Sequence, residues 1–234
     1  MNPTPAVSST TPARRLRILC LHGYTQNKDV FRSRIAVIRK DLKNVAEFDF
    51  ISAPHIVSSD QIPGPVEATD GDGPRSWWNP AARPSGLDAS LSLVSQTWST
   101  ASPPYDGILG FSQGATMAAL ALPTLDPPAR FSLHFAGFYP VDPAQMALLS
   151  AIPATRVSSL HVMGRADAWV TPARSEALRA RFQDPQTLVH DGGHFVPTNA
   201  GHRQTYREFV GKFAGGGSAA AADSSPSVPI ENES

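Results

Sequence analysis

The chain has 234 residues, 41% of them hydrophobic and 17% charged, which suffices for one globular domain of ordinary size but not for two large ones. Twenty basic residues balance 20 acidic ones, leaving no electrostatic footprint for a nucleic acid or an anionic membrane. No apolar run approaches the roughly 20 residues that span a bilayer, and the lone cysteine, Cys20, excludes a disulfide framework or a cysteine-built zinc site.

Residues 1–13 are rich in Pro, Thr and Ser and read as a disordered tail. They lack the continuous apolar stretch of roughly 7–15 residues that a secretory signal needs. Arg14, Arg15 and Arg17 hint at a mitochondrial leader, but Pro3, Pro5 and Pro12 oppose a leader helix, so the default location is cytoplasmic. The domain spans 14–214, and the Gly, Ala and Ser of 215–234 read as a second disordered tail.

Within the domain, Arg17 to Leu21 is a short buried-strand candidate that ends at His22-Gly23. Phe31, Ile35, Ile38 and Leu42 mark one face of a helix, and Phe48 to Ile51 the next strand. A helix follows over Leu87 to Trp98, a strand over Tyr105 to Phe111, and a small-residue helix over Gln113 to Leu122. Three more strands are predicted at Phe131 to Phe138, Ser158 to Met163 and Gln186 to His190. Helices over Pro172 to Phe182 and His202 to Phe213 follow the last two. Strands alternating with helices imply an α/β fold, a mostly parallel sheet with helices on both faces. Only 58–86 breaks the rhythm: it is dense in Pro and Gly, carries Trp77-Trp78, and has no usable period. A loop that long inside a compact domain suggests function.

Gly110-Phe111-Ser112-Gln113-Gly114 fits G-x-S-x-G, with a strand before it and a helix after it. Such a turn strains the serine backbone, lets neighbouring chain approach the glycines, and exposes the hydroxyl above the sheet edge. A helix N-cap would explain Ser112 but not both glycines. Ser112 is therefore the candidate nucleophile.

A serine hydroxyl needs a base within hydrogen-bond reach. Among seven histidines, His134 and His161 lie in apolar strands and read as core, while His190 and His202 sit at element ends. His194 stands in Asp191-Gly-Gly-His-Phe195, a loop after the last strand, and is the candidate base. Asp167, in Gly164-Arg-Ala-Asp167 beyond the preceding strand, is the candidate acid that orients it, completing the chain order Ser, Asp, His. Asp142, between Pro140 and Pro143, is the rival and resembles a turn residue; Asp191 is too near His194 in sequence.

Acyl transfer also needs preformed donors for the developing oxyanion. The backbone N–H of Gln113 follows the nucleophile, and the N–H of Tyr24 lies in the turn after the first strand. Because these are backbone roles, the side chains at both positions are expected to matter less. His22 is placed at the site wall. Trp77 and Trp78 are read two ways, as walls of an acyl pocket or as anchors of the long loop.

The ordered set Arg17-Ile-Leu-Cys-Leu-His-Gly-Tyr-Thr-Gln-Asn27, Arg75-Ser-Trp-Trp78, Gly110-Phe-Ser-Gln-Gly114, Gly164-Arg-Ala-Asp167 and Gly193-His-Phe-Val-Pro197 resembles the FSH-type serine hydrolases, small α/β-hydrolase esterases related to the ovarian-cancer-associated serine hydrolase. The resemblance covers about Arg14 to Phe213. It implies an α/β-hydrolase fold, a triad of Ser112, Asp167 and His194, and hydrolysis of a small-molecule carboxylic ester or thioester with no metal and no cofactor. Acyl-protein thioesterases share a similar serine turn and triad order, but Tyr24 to Asn27 and the double Trp fit the FSH type better. The rivals are a thioesterase acting on carrier-bound or polyketide acyl chains, a non-catalytic binding module that kept the fold, and, more weakly, a protease. Acyl length, leaving group, oligomeric state and any lid role of 58–86 stay open.

Overall fold

A computed structural model describes residues 14–62, 72–79, 85–151 and 156–214. Both expected tails lie outside the described residues, as do 63–71 and 80–84 of the long inserted segment. In chain order the strands are β1 (Leu16–Leu21), β2 (Ala46–Ile51), β3 (His55–Ile56), β4 (Arg75–Ser76), β5 (Gly107–Phe111), β6 (Phe131–Phe135), β7 (Ser158–Gly164) and β8 (Gln186–His190). The helices are α1 (Lys28–Arg34), α2 (Ala36–Asp41), α3 (Leu87–Ser99), α4 (Gln113–Ala121), α5 (Pro143–Ala151), α6 (Pro172–Arg179) and α7 (Ala200–Gly211).

Six strands form one sheet in the order β2-β1-β5-β6-β7-β8, every neighbouring pair parallel. Successive side chains of a strand face opposite ways, and β1 shows the consequence. Leu19 and Leu21 enter a core with Val94 and Trp98 of α3, Met117 of α4 and Leu178 of α6. Ile18 and Cys20 enter the opposite core with Phe31 of α1, Ile38 of α2, and Tyr206 and Phe209 of α7. Both faces are thus covered, so inner strands such as β1 and β5 read as apolar runs rather than as alternating ones.

The observed elements depart from the expected ones in four places. The helix expected over Phe31 to Leu42 is two helices, joined at Ile35 (φ −101°, ψ 18°), yet Phe31, Ile35, Ile38 and Leu42 are all buried as one face. The strand expected to reach Phe138 stops at Phe135, because Ala136 takes φ 48° and turns the chain out of the sheet. Helix α5 begins where Asp142 had read as a turn residue: the Asp142 carboxylate accepts the Gln145 N–H at 3.2 Å, capping it. Part of the inserted segment is paired, β3 running antiparallel to β4 with His55 opposite Ser76.

Because the strands are parallel, the carboxyl ends of β1, β5, β7 and β8 share one edge of the sheet. Leu21 lies beside Gly110, and Gly164 beside His190. In open α/β sheets this edge is where ligands bind.

Candidate active site

Ser112 stands between β5 and α4 at φ 53°, ψ −118°, a positive φ that a side chain normally avoids. The flanking glycines are required by contact. A Cβ on Gly110 would lie 2.2 Å from the Gly114 carbonyl oxygen, and one on Gly114 would lie 2.3 Å from that of Leu21. The Ser112 N–H donates to the Phe135 carbonyl at 2.8 Å, tying the turn to the next strand. Although Ser112 holds the N-cap position of α4, its side chain makes no capping bond. Its Oγ instead lies 2.9 Å from Nε2 of His194.

Nδ1 of His194 lies 2.7 Å from Oδ2 of Asp167. A carboxylate only accepts, so Nδ1 carries the proton and Nε2 presents a lone pair to the serine hydroxyl. The Asp167 side chain is 1% exposed, and its other carboxylate oxygen accepts the N–H groups of Trp169 (2.9 Å) and Val170 (2.8 Å). Those two bonds hold the group rigid from behind. The loops after β7 and β8 are laced together by Arg165 N–H to the His190 carbonyl (2.8 Å) and Ala166 N–H to that of Gly192 (3.2 Å). A Cβ on Gly164 would strike the Gly192 carbonyl oxygen at 2.4 Å, so this glycine provides room for the histidine loop. Phe111 backs the imidazole, ring centroids 4.9 Å apart. The three residues drawn from distant positions of the sequence are therefore in one hydrogen-bonded line. Asp142 caps α5 instead, and Asp191 pairs with Arg165 at 3.1 Å.

The turn after β1 explains Gly23 to Asn27. Gln26 Oε1 accepts the Gly23 N–H (3.1 Å), and the Gln26 N–H donates to the Gly23 carbonyl (3.2 Å). Thr25 takes φ 64° and its N–H donates to the Arg75 carbonyl at 3.0 Å, while Asn27 Oδ1 caps α1 through the N–H groups of Asp29 and Val30. The N–H groups of Tyr24 and Gln113 have no acceptor among the described residues. Tyr24, Gln113, Ser112 and His194 all line one cleft of about 740 Å³.

Two of the three expected pocket residues are not in that cleft. His22 is fully buried: its Nδ1–H donates to the Gly23 carbonyl (2.7 Å) and its Nε2 accepts the Ala53 N–H (2.9 Å). Burial lowers its pKa to about 4. Trp77 is also fully buried, its indole N–H donating to the His22 carbonyl at 2.8 Å. Only Trp78 lines the cleft, beside Phe138 at 6.3 Å between centroids. The double Trp is thus divided, one ring anchoring the inserted segment and the other facing the cleft. The Gln113 side chain, expected to matter less than the backbone N–H, is itself engaged. Its Oε1 accepts the Trp77 N–H (2.8 Å) and its Nε2 donates to the Trp78 carbonyl (2.9 Å). Sequence reasoning also passed over Phe138, Trp169 and Arg174, which line the cleft. Phe138 read as the end of a strand, and neither Trp169 nor Arg174 falls in a motif.

Among the described residues, no helix is long and apolar enough to cross a membrane. A match to the family described as Serine hydrolase (FSH1) covers residues 11–206. Esterase OVCA2 of Homo sapiens is 36% identical over 226 residues, spanning 86% of this chain and 98% of that protein. Esterase OVCA2 of Xenopus tropicalis is 39% identical over 220 residues, 86% of this chain and 94% of that protein. Among solved structures, Arabidopsis thaliana SOBER1 superposes with a TM-score of 0.63 at 17% identity, covering 85% of this chain and 99% of that one. Esterase PE8 does so with a TM-score of 0.63 at 22% identity, covering 89% and 96%. At these identities the structural likeness speaks for the fold alone.

Proposed function

Since the chain belongs to the FSH1 serine hydrolase family, we propose that it hydrolyses small-molecule carboxylic esters in the cytoplasm through a covalent acyl-serine. The observation that carries this reading is the continuous line of hydrogen bonds from Ser112 Oγ through His194 to the buried Asp167.

In the proposed reaction, Nε2 of His194 takes the hydroxyl proton as Ser112 Oγ attacks the ester carbonyl. The N–H groups of Gln113 and Tyr24 bind the resulting oxyanion, each donor contributing about 3–4 kcal/mol of transition-state stabilisation in comparable enzymes. Asp167 holds the imidazole in the required tautomer and stabilises the imidazolium. His194 returns the proton to the leaving alcohol, then activates a water that releases the acid. Every group named is a side chain or amide of this chain, and no step calls on a metal or cofactor.

A fluorophosphonate probe tests the nucleophile: the reading requires label on Ser112 in folded protein and none in Ser112→Ala. Absence of label would leave a binding module on a hydrolase fold. Matched alkyl oxoesters and thioesters then separate an esterase from a thioesterase, and faster turnover of the oxoester is expected.

A further inference from the structure

Arg174 lies in the first turn of α6 and lines the cleft that holds Ser112 and His194. Its guanidinium carbon sits 4.4 Å from the centroid of the Phe138 ring, itself part of the cleft. That ring has a fixed place: the Phe138 N–H and carbonyl both bond the Thr116 hydroxyl, one turn into the helix that starts at Ser112. The head group is poorly satisfied. Among the described residues its buried Nε has no hydrogen-bond partner, and its one side-chain hydrogen bond is a long 3.5 Å contact to the Tyr139 carbonyl.

Other arginines of the chain have carboxylates. Arg130 pairs with Asp106 at 2.9 Å, Arg165 with Asp191 at 3.1 Å, and Arg179 with Glu176. Arg174 has no carboxylate partner among the described residues. Among the described residues the one acidic side chain lining the cleft, Asp142, caps α5. Nor does Arg174 serve its own helix: a cation in the first turn opposes the helix dipole, and α6 has no acid there. A half-buried cation facing a reactive cleft, stacked on an aromatic ring and short of acceptors, is the arrangement that receives a planar anion.

Building on the esterase reading above, we propose that Arg174 is a specificity-determining residue that binds a carboxylate carried by the substrate, so that the preferred substrates are esters bearing a free acid group a short chain away from the scissile bond. The fork of N–H donors would hold that carboxylate against Phe138 while the ester carbonyl lies at Ser112.

Binding to Ser112→Ala protein tests this without needing turnover. Monoethyl suberate, which ends in a carboxylate, and diethyl suberate, which does not, are titrated side by side. The acid-ended ester is expected to bind at least about tenfold tighter. That advantage should disappear in Ser112→Ala/Arg174→Gln. It should also shrink several-fold as salt is raised to about 0.5 M, a readout that needs no further variant. Equal binding of the two esters, or an advantage that survives both the substitution and the salt, would overturn the assignment. Hydrolysis of the same pair by the unaltered protein reports separately on the esterase reading: failure to cleave either ester counts against that reading, while the binding ratio still decides the role of Arg174.

Discussion

The side-chain amide of Gln113 grips the backbone of Trp77, accepting its N–H at 2.8 Å, and through its other end holds the Trp78 carbonyl at 2.9 Å. The residue whose own N–H is proposed for the oxyanion thus also fastens the inserted segment onto the nucleophile helix. Gln113→Ala keeps the backbone N–H but strands a buried donor and a buried acceptor, at a cost of about 2–4 kcal/mol. Denaturant unfolding should show that loss. Steady-state kinetics should show KM rising as Trp78 leaves its place in the cleft, and a variant with unchanged stability and KM would break the link.

Ser112 sits at φ 53°, ψ −118°, so its backbone is strained whatever its side chain. Ser112→Ala should remove hydrolysis, with kcat/KM down by at least about 10³-fold. Ser112→Gly should remove it equally but relieve the strain. The relief, about 1–3 kcal/mol, exceeds the extra entropy of an unfolded glycine, about 0.5–1 kcal/mol. Gly is therefore expected to be more stable than Ala here by roughly 1 kcal/mol. Comparing the two unfolding curves checks it, and an Ala variant as stable as the Gly variant would deny the strain.

What the sequence revealed, and what it hid, follows from the range of the interactions. Strands β1 and β5 were legible because both faces of the sheet are covered there, which turns strands into short apolar runs. Ser112, Asp167 and His194 were legible because each follows a strand of a parallel sheet, whose topology alone brings such positions to one edge. Helix α5 was missed although its signal was present, an Asp before a Pro being a common helix start. The division of Trp77 from Trp78 was not legible at all. It depends on hydrogen bonds to His22 and Gln113, far away in the chain, and identical neighbours carry no hint of which ring turns inward. Arg174 was hidden for the same reason, since a missing counter-ion shows only after folding.

Asp167 has two tasks that a single substitution separates. Oδ1 accepts the Trp169 and Val170 N–H groups, and Oδ2 faces Nδ1 of His194. In Asp167→Asn the amide oxygen can keep the first pair of bonds, but its NH₂ then meets the Nδ1 proton. The imidazole must shift its proton to Nε2 and no longer accepts from Ser112. The expected result is a fall in kcat of about 10⁴-fold with little change in Tm. Asp167→Ala, which also abandons the two loop N–H groups, should lose a further 1–3 kcal/mol or so of stability. Substantial activity in the Asn variant would show that His194 does not depend on this carboxylate.

Three histidines outside the proposed triad make stability depend on pH. His134 and His161 face each other across β6 and β7, stacked at 4.7 Å, and His134 bonds the Ala115 carbonyl (3.0 Å) and the Ser132 hydroxyl (2.9 Å). Burial lowers His22 and His134 to about 4 and holds His161 well below its usual range. The native rings therefore stay neutral while the unfolded chain begins to take up protons below about pH 6.5. Between about 6.5 and 4 the unfolded state binds more protons, so stability is full above that window and drains as pH falls through it. Each ring contributes up to about 1.4 kcal/mol per pH unit. Denaturant midpoints measured from pH 7.5 down to 5 should fall steadily, in a range where ordinary carboxylates remain ionised. In His134→Gln the slope should be flatter, whatever the variant's absolute stability. An unaltered slope would mean that the ring is not buried neutral between the strands.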